Sequence, residues 1–121
     1  MKVIVADDSM LTRKIVIKYL EPMGFETVQA ANGGEVIKIL NSGDPLPGLI
    51  LMDWNMPVLD GYQVLQMLRK DERYKGLPII MLTSESDDTN RNQALDAGAS
   101  GYITKPFTAE DLIQIINETL K

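Results

Sequence analysis

Neither cysteine nor histidine occurs among the 121 residues of this chain. The absence of cysteine excludes disulfides, thiolate metal sites and thiol nucleophiles, and it fits a reducing compartment. The absence of histidine removes the usual zinc ligand, the usual general base and any Ser-His-Asp triad. Chemistry at a site in this protein must therefore use carboxylates, hydroxyl groups, lysine and a bound metal.

The sequence also lacks an apolar run of membrane-spanning length, and Asp7 and Asp8 come too early for a signal peptide. Its formal net charge of −5 argues against a nucleic-acid-binding surface and suits a divalent cation better. The hydrophobic fraction of 45% is that of a globular protein, and the length predicts one domain over residues 1–121. We therefore expect a cytoplasmic protein that binds neither nucleic acid nor membrane.

The most informative stretch is the apolar run at residues 49–52, which predicts a strand that is buried on both faces. Asp53 follows this run directly, and Pro57 disfavours further extension of the strand. Open α/β sheets bind their ligands at the carboxyl ends of the strands, which favours a functional role for Asp53. Aspartate also begins turns and caps helices, so this stretch alone leaves both roles open.

Strand and helix patterns alternate along the whole chain. Strands are predicted over residues 2–6, 26–31, 49–52, 79–82 and 101–104, and the polar second strand is expected at an edge of the sheet. A helix is predicted after each strand, the first over roughly residues 10–23 and the last beginning after the cap Thr108. This order implies a parallel sheet with helices on both faces.

Apolar spacing also predicts which helix faces are buried. In the first helix, Leu11, Ile15 and Tyr19 follow helical spacing. The fourth helix is polar, and its expected apolar anchors are Ala94, Leu95 and Ala97. The last helix is expected to bury Leu112, Ile115, Ile116 and Leu120.

Polar residues of interest follow four of the predicted strands, namely Asp7 and Asp8, Asp53, Thr83, and Lys105. Parallel strands bring these residues to one edge of the sheet, where converging carboxylates repel each other unless a cation lies among them. Carboxylates bind Mg2+, which also binds phosphate oxygens. An aspartate can attack phosphorus to form an acyl phosphate, while lysine and a metal neutralise the transferred group.

Several motifs resemble the receiver domain of bacterial two-component response regulators. They are residues 3–8 (VIVADD), 53–57 (DWNMP), 60–61 (DG), 83–84 (TS) and 98–107 (GASGYITKPF). The resemblance extends over the whole chain and is closest to the stand-alone chemotaxis type. It implies an α/β, flavodoxin-like (βα)5 fold with a doubly wound parallel sheet of strand order 2-1-3-4-5.

The resemblance implies a role for each residue of this edge. Asp53 is the expected phosphoacceptor, and Lys105 is expected to pair with the phosphoryl oxygens. Thr83 and Tyr102 are the expected switch residues, which would transmit phosphorylation to a face formed by the fourth helix, fifth strand and fifth helix. The Lys105-Pro106 peptide bond is expected to be cis.

The same resemblance implies a Mg2+ site. Asp8 would bind the ion directly and Asp7 through water, and Asp53 with the backbone carbonyl of Asn55 would complete the protein ligands. Asn55 and Glu85 are the positions expected to tune hydrolysis of the acyl phosphate.

The expected partners follow from the same comparison. Because the chain has no histidine, the phosphodonor must be another protein, a histidine kinase, or a small acyl phosphate. Chemotaxis receivers often present basic residues to the flagellar motor, but the fifth helix here has no lysine or arginine before Lys121, so the downstream partner stays open. We expect a monomer whose only catalysis is its own phosphorylation and dephosphorylation, and which either signals by docking or belongs to a longer protein.

Three other functions share parts of this pattern. An aspartate-nucleophile phosphatase would also pair Asp53 with Mg2+, but such enzymes usually place a second aspartate where this chain has Asn55. A flavin-binding module shares the fold, but would need a Ser/Thr/Gly-rich phosphate loop in place of Asp7 and Asp8. A receiver fold that is never phosphorylated would not need the complete set of site residues.

Overall fold

Five short strands pair side by side in parallel in the part of the chain that the structure describes. The structure is a computed structural model, and it describes residues 1–43, 45–84 and 88–121. The strands are β1 (Lys2–Ala6), β2 (Glu26–Ala30), β3 (Leu49–Asp53), β4 (Ile79–Thr83) and β5 (Gly101–Thr104). Their spatial order is β2-β1-β3-β4-β5, which confirms the predicted order and the edge position of the second strand.

A helix follows each strand, as predicted. The helices are α1 (Met10–Leu20), α2 (Gly33–Leu40), α3 (Gly61–Arg69), α4 (Asp88–Asp96) and α5 (Ala109–Leu120). A 3-10 turn at Glu21–Met23 extends α1, and it ends at Gly24, whose φ of +77° lies in the left-handed region that glycine adopts readily. In the described residues, none of the helices has the length and hydrophobicity needed to cross a bilayer.

The sheet is covered on both faces, which is why its central strands β3 and β4 are apolar up to their last residues. Side chains alternate between the faces of a strand. Ile50 and Met52 of β3 pack into a core with α2, α3 and α4, whereas Leu49 and Leu51 pack with α1 and α5. All four side chains are fully buried. The carboxyl end of β3 is therefore held on both sides by packed side chains.

The buried face of α1 differs from the predicted one. Leu11 and Ile15 are 69% and 42% exposed, and Tyr19 is half-buried and packs against the core, while Val16 and Leu20 are fully buried. The two sets have the same four-residue spacing, so spacing alone does not decide which of them faces the sheet. The cap at Ser9, which accepts a hydrogen bond from the backbone N–H of Thr12, fixes where the helix begins.

Predicted anchors in two other helices are less buried than expected. In α4, Ala94 is fully buried, but Leu95 is 40% exposed because it lies about 100° further around the helix axis. In α5, Leu112 and Ile116 are fully buried, whereas Ile115 and Leu120 are half-buried and pack against the same core. The Thr108 cap of α5 is confirmed, with Asp111 as its reciprocal partner.

Candidate functional site

Backbone hydrogen bonds extend the sheet beyond the ends of its strands and bring the predicted polar residues to one edge. The N–H of Asp7 donates to the carbonyl of Ala30 over 3.0 Å. The N–H of Lys105 donates to the carbonyl of Thr83 over 2.7 Å. Asp53 is the last residue of β3. The structure therefore places all of these residues at the carboxyl edge of the sheet.

Three carboxylates converge at this edge. One oxygen from each of Asp7, Asp8 and Asp53 lies within 4.8 Å of the others. Asp7 and Asp53 are buried, at 1% and 6% exposure, whereas Asp8 is exposed. Burial strengthens the repulsion between negative charges, since water screens them less. The cluster therefore requires a compensating positive charge.

Lys105 provides part of that charge. Its Nζ lies 2.7 Å from Oδ2 of Asp7 and 3.3 Å from Oδ2 of Asp53. Burial alone would lower the pKa of Lys105, but the hydrogen bond to Asp7 and the attraction of Asp53 outweigh it, and the pKa is raised. The ammonium group thus stays charged between the two buried carboxylates.

The charge of Asp53 is only partly compensated. Burial raises the pKa of Asp53 above that of a free aspartate, and the negative charge of Asp7 raises it further. Lys105 and a hydrogen bond from the backbone N–H of Asn55 lower this pKa without cancelling the rise. Lys105 carries one charge against three carboxylates, so the site suits an additional cation with oxygen ligands.

The loop from β3 to α3 is closed by backbone contacts. The N–H of Trp54 donates to the carbonyl of Leu82 over 3.1 Å, and the N–H of Gly61 donates to the carbonyl of Trp54 over 2.8 Å. A Cβ atom at Gly61 would collide with the backbone carbonyl oxygen of Asp53. Asp60 caps α3 in a reciprocal arrangement with Gln63. The Asp60-Gly61 motif therefore holds the start of α3 against Asp53.

The remaining predicted residues lie around this site. Asn55 is exposed and, with Asp8, lines an open cavity of about 430 Å³. Thr83 is fully buried at the end of β4, and Tyr102 is half-buried in β5. The peptide bond preceding Pro106 is cis, which confirms that expectation. Glu85 lies outside the described residues.

A comparison with protein families decides what this arrangement is. The family model described as "Response regulator receiver domain" matches residues 3–117. The chain belongs to the response regulator receiver family. The sequence resemblance is thereby confirmed, and receivers act in phosphorylation-based two-component signalling.

Curated relatives of this receiver include chemotaxis proteins. It is 37% identical over 119 residues to the chemotaxis protein CheY of Pseudomonas aeruginosa, which covers 98% of this chain and 94% of that protein. It is 38% identical over 119 residues to the sensor histidine kinase CheAY of Helicobacter pylori, which covers 98% of this chain. The receiver spans only 15% of the length of the latter protein.

Solved structures show the same fold. The receiver domain of a Pseudomonas aeruginosa sensor histidine kinase superposes with a TM-score of 0.86 at 27% identity, covering 98% of this chain and 96% of that one. That structure has a magnesium ion coordinated in its active site cleft. The flavodoxin-like architecture predicted from the sequence is thus confirmed.

Proposed function

We propose that this receiver, as one domain over residues 1–121, is a Mg2+-dependent switch that is phosphorylated on Asp53. The observation that carries the proposal is the position of the Asp53 carboxylate. It lies 3.3 Å from the ammonium group of Lys105, with oxygens of Asp7 and Asp8 within 4.8 Å. Asp53 is thus the carboxylate that combines a lysine contact, two neighbouring acidic ligands and a place at the end of the central strand.

The donor set fits Mg2+, a hard cation that prefers oxygen ligands. Both carboxylate oxygens of Asp7 already accept hydrogen bonds, one from the N–H of Ser9 over 2.9 Å and one from Lys105 over 2.7 Å. Asp7 is therefore suited to hold the ion through water, whereas Asp8 and Asp53 are suited to bind it directly with the backbone carbonyl of Asn55. When bound, the ion supplies positive charge next to the phosphoryl oxygens.

Phosphorylation uses the side chains of this edge. A carboxylate oxygen of Asp53 attacks the phosphorus of a phosphohistidine on a histidine kinase, the P–N bond breaks, and an aspartyl phosphate remains. A small acyl phosphate can serve as the donor in the same way. Lys105 neutralises the charge of the transferred group, because its ammonium already lies between Asp7 and Asp53. Histidine is absent from these 121 residues, so the phosphohistidine that donates the phosphoryl group lies outside them.

The output face lies on α4, β5 and α5. The added phosphoryl group carries about −1.5 to −2 charges and three acceptor oxygens, to which the hydroxyl of Thr83 is the proposed donor. Tyr102 lines a cavity of about 240 Å³ between α4 and α5, together with Leu95 and Ile115. Movement of Thr83 toward the phosphoryl group would change the packing beside Tyr102 and hence the shape of this cavity. A downstream protein would dock there.

Several finer points belong to the same proposal. The receiver is a cytoplasmic monomer of the chemotaxis type. Its sequence identity of 37% to the CheY protein of Pseudomonas aeruginosa supports the chemotaxis type. It catalyses its own phosphorylation and dephosphorylation and turns over no other substrate. Asn55 and Glu85 are the positions proposed to admit and orient the hydrolytic water.

The experiment is incubation with acetyl phosphate and Mg2+, followed by mass spectrometry of the intact protein. The wild type should gain one phosphoryl mass, and Asp53→Ala should gain none. Excess chelator should abolish the gain in the wild type. Labelling of Asp53→Ala, or steady turnover of phosphate monoesters by the wild type, would contradict the proposal.

A further inference from the structure

Asp7 is fixed by hydrogen bonds at every polar group it has. Its N–H donates to Ala30, and its two carboxylate oxygens accept from Ser9 and Lys105. Its backbone carbonyl accepts a hydrogen bond from Nη1 of Arg13 over 2.6 Å. That carbonyl belongs to the peptide group joining Asp7 to the next residue, so Arg13 fixes the plane of this peptide.

Asp8 is held very differently. Its side chain is exposed, and among the described residues no hydrogen bond or ion pair reaches its carboxylate. The direction in which it leaves the backbone therefore depends on the peptide plane between Asp7 and Asp8. Arg13 is the side chain that holds this plane.

Arg13 is itself anchored from the neighbouring strand. Its Nε donates to Oε1 of Gln29 over 2.9 Å. Gln29 lies in the edge strand β2, opposite Val5 in the register with β1. The guanidinium thus uses two separate donors, one to the end of β1 and one to β2. A rigid fork of this kind loses less freedom on binding than a flexible ammonium would.

We propose that Arg13 is a positioning residue for the cation site. It fixes the Asp7–Asp8 peptide and thereby directs the Asp8 carboxylate toward Asp7 and Asp53, while Gln29 keeps the guanidinium in place. This inference rests on the proposed Mg2+ site. Residues that orient metal ligands without touching the metal typically change its affinity by about 10-fold to 100-fold when they are lost.

A purely electrostatic role for Arg13 predicts the opposite sign. A positive charge near a cation site weakens cation binding, so its removal would strengthen Mg2+ affinity. A purely structural role predicts a change in unfolding free energy with no change in the Kd for Mg2+. The three roles therefore separate in one set of measurements.

The experiment measures Mg2+ binding to the full chain by calorimetry and by the fluorescence of Trp54, the sole tryptophan, which follows Asp53. Arg13→Met should raise the Kd about 10-fold. Arg13→Lys, which keeps the charge and one donor site, should recover part of the affinity. Lys14→Met removes an exposed cation from the next position of α1, and should leave the Kd unchanged.

Two further readouts complete the test. Saturating Mg2+ should restore the phosphorylation rate of Arg13→Met, because ligand orientation and not the transfer step is impaired. Urea unfolding shows whether each variant is folded. If Arg13→Met does not fold, Gln29→Leu provides the test. It removes only the hydrogen bond between Gln29 and Arg13, and should raise the Kd for Mg2+ by a smaller factor than Arg13→Met.

The outcomes are distinct. If the wild type binds no Mg2+, both the proposed cation site and the positioning role of Arg13 are wrong. A wild type that binds Mg2+, with Arg13→Met equal or tighter in affinity, overturns the inference alone. An unchanged Kd in Gln29→Leu, when Arg13→Met cannot be measured, also overturns it.

Discussion

Trp54 and Tyr62 lie face to face, with 5.0 Å between their ring centroids and 3° between their planes. Trp54 directly follows Asp53, and Tyr62 is the second residue of α3. The stack therefore joins the loop after the central strand to the helix that follows it. It adds side-chain packing to the backbone hydrogen bond between Trp54 and Gly61.

Removal of this stack should destabilise the receiver. We expect Tyr62→Leu to lower the free energy of unfolding by about 1 kcal/mol, because stacked aromatic pairs contribute roughly that much beyond their buried area. The change in unfolding free energy is measured by urea unfolding, with far-UV circular dichroism as the signal. Tyr62→Phe is the matched control and should keep the stability of the wild type, since the ring alone makes the stack. A loss as large in the phenylalanine variant would assign the effect to the hydroxyl.

Asp53 should make the metal-free receiver less stable at neutral pH. Its pKa is raised in the folded state by burial and by Asp7, so the folded state binds its proton more tightly than the unfolded state does. Protonated Asp53 therefore stabilises the folded state at pH values below the ordinary aspartate pKa. This contribution is lost as the pH rises through the raised pKa of Asp53. Asp53→Asn, which cannot ionise, should be more stable than the wild type by about 1 kcal/mol at pH 7 without Mg2+.

The measurement is urea unfolding at several pH values with and without Mg2+. The gap between Asp53→Asn and the wild type should close as the pH falls, and Mg2+ should stabilise the wild type more than the variant. A gap that does not depend on pH would show that ionisation of Asp53 is not its cause.

Val58 has a strained backbone conformation that a substitution can relieve. Its φ of +70° lies in the left-handed region, which is unfavourable for a β-branched residue, and its side chain is 77% exposed. The N–H of Leu59 donates to the carbonyl of Pro57 across Val58, which closes a γ-turn, and asparagine is one of the residue types enriched at positive φ. We expect Val58→Asn to raise the unfolding free energy by about 1 kcal/mol. Val58→Thr, which is also β-branched, should give no such gain, and thermal unfolding compares the two variants.

Phosphorylation should change α4, β5 and α5 through Thr83. Beryllofluoride, used as a phosphoryl mimic with Mg2+, should change amide exchange mainly between residues 83 and 108. The changes should shrink in Thr83→Ala, which lacks the proposed donor hydroxyl. Coupling of roughly 1–3 kcal/mol is sufficient for such a response. Changes centred on α2 and α3, or equal changes in the variant, would exclude this switch.

The phosphoryl group should be lost within seconds to minutes once the donor is removed. Asn55 is exposed beside Asp8, where it leaves room for a water in line with the acyl phosphate. Asn55→Lys should slow the decay several-fold by filling that approach. Asn117→Lys makes the same exchange at an exposed position of α5 and should not alter the decay. Wild-type decay over many hours with Mg2+ present would contradict this expectation.

The sequence predicted the strands and the edge on which the site lies because both depend on local patterns. Apolar runs that end in polar residues mark the carboxyl ends of buried strands, and parallel topology brings those ends together. The placement of Asp53 and Lys105 on one edge of the sheet was therefore predicted from their positions, whereas the role of Lys105 at the site was implied only by the resemblance to receiver domains. Capping residues such as Thr108 were identified for the same reason, since a cap acts within four residues.

Other features depend on contacts that no local pattern records. The two rows of apolar residues in α1 have equal spacing, so the choice of Val16 and Leu20 as the buried pair comes from packing against the sheet. Arg13 was missed because its partner at Asp7 is a backbone carbonyl, which every residue type carries. The pairing of Arg13 with Gln29, 16 residues away, required the register of β2 against β1.

The close approach of Gly61 to the backbone of Asp53 has a consequence for engineering this receiver. A backbone hydrogen bond from the N–H of Gly61 to the carbonyl of Trp54 joins the two ends of the segment between them and closes it into a loop. We expect an inserted residue there to move α3 away from Asp53, and a side chain at position 61 to do the same. Tags, sensor domains and altered loop lengths therefore belong elsewhere on the chain, and the link between β3 and α3 is best left at its natural length.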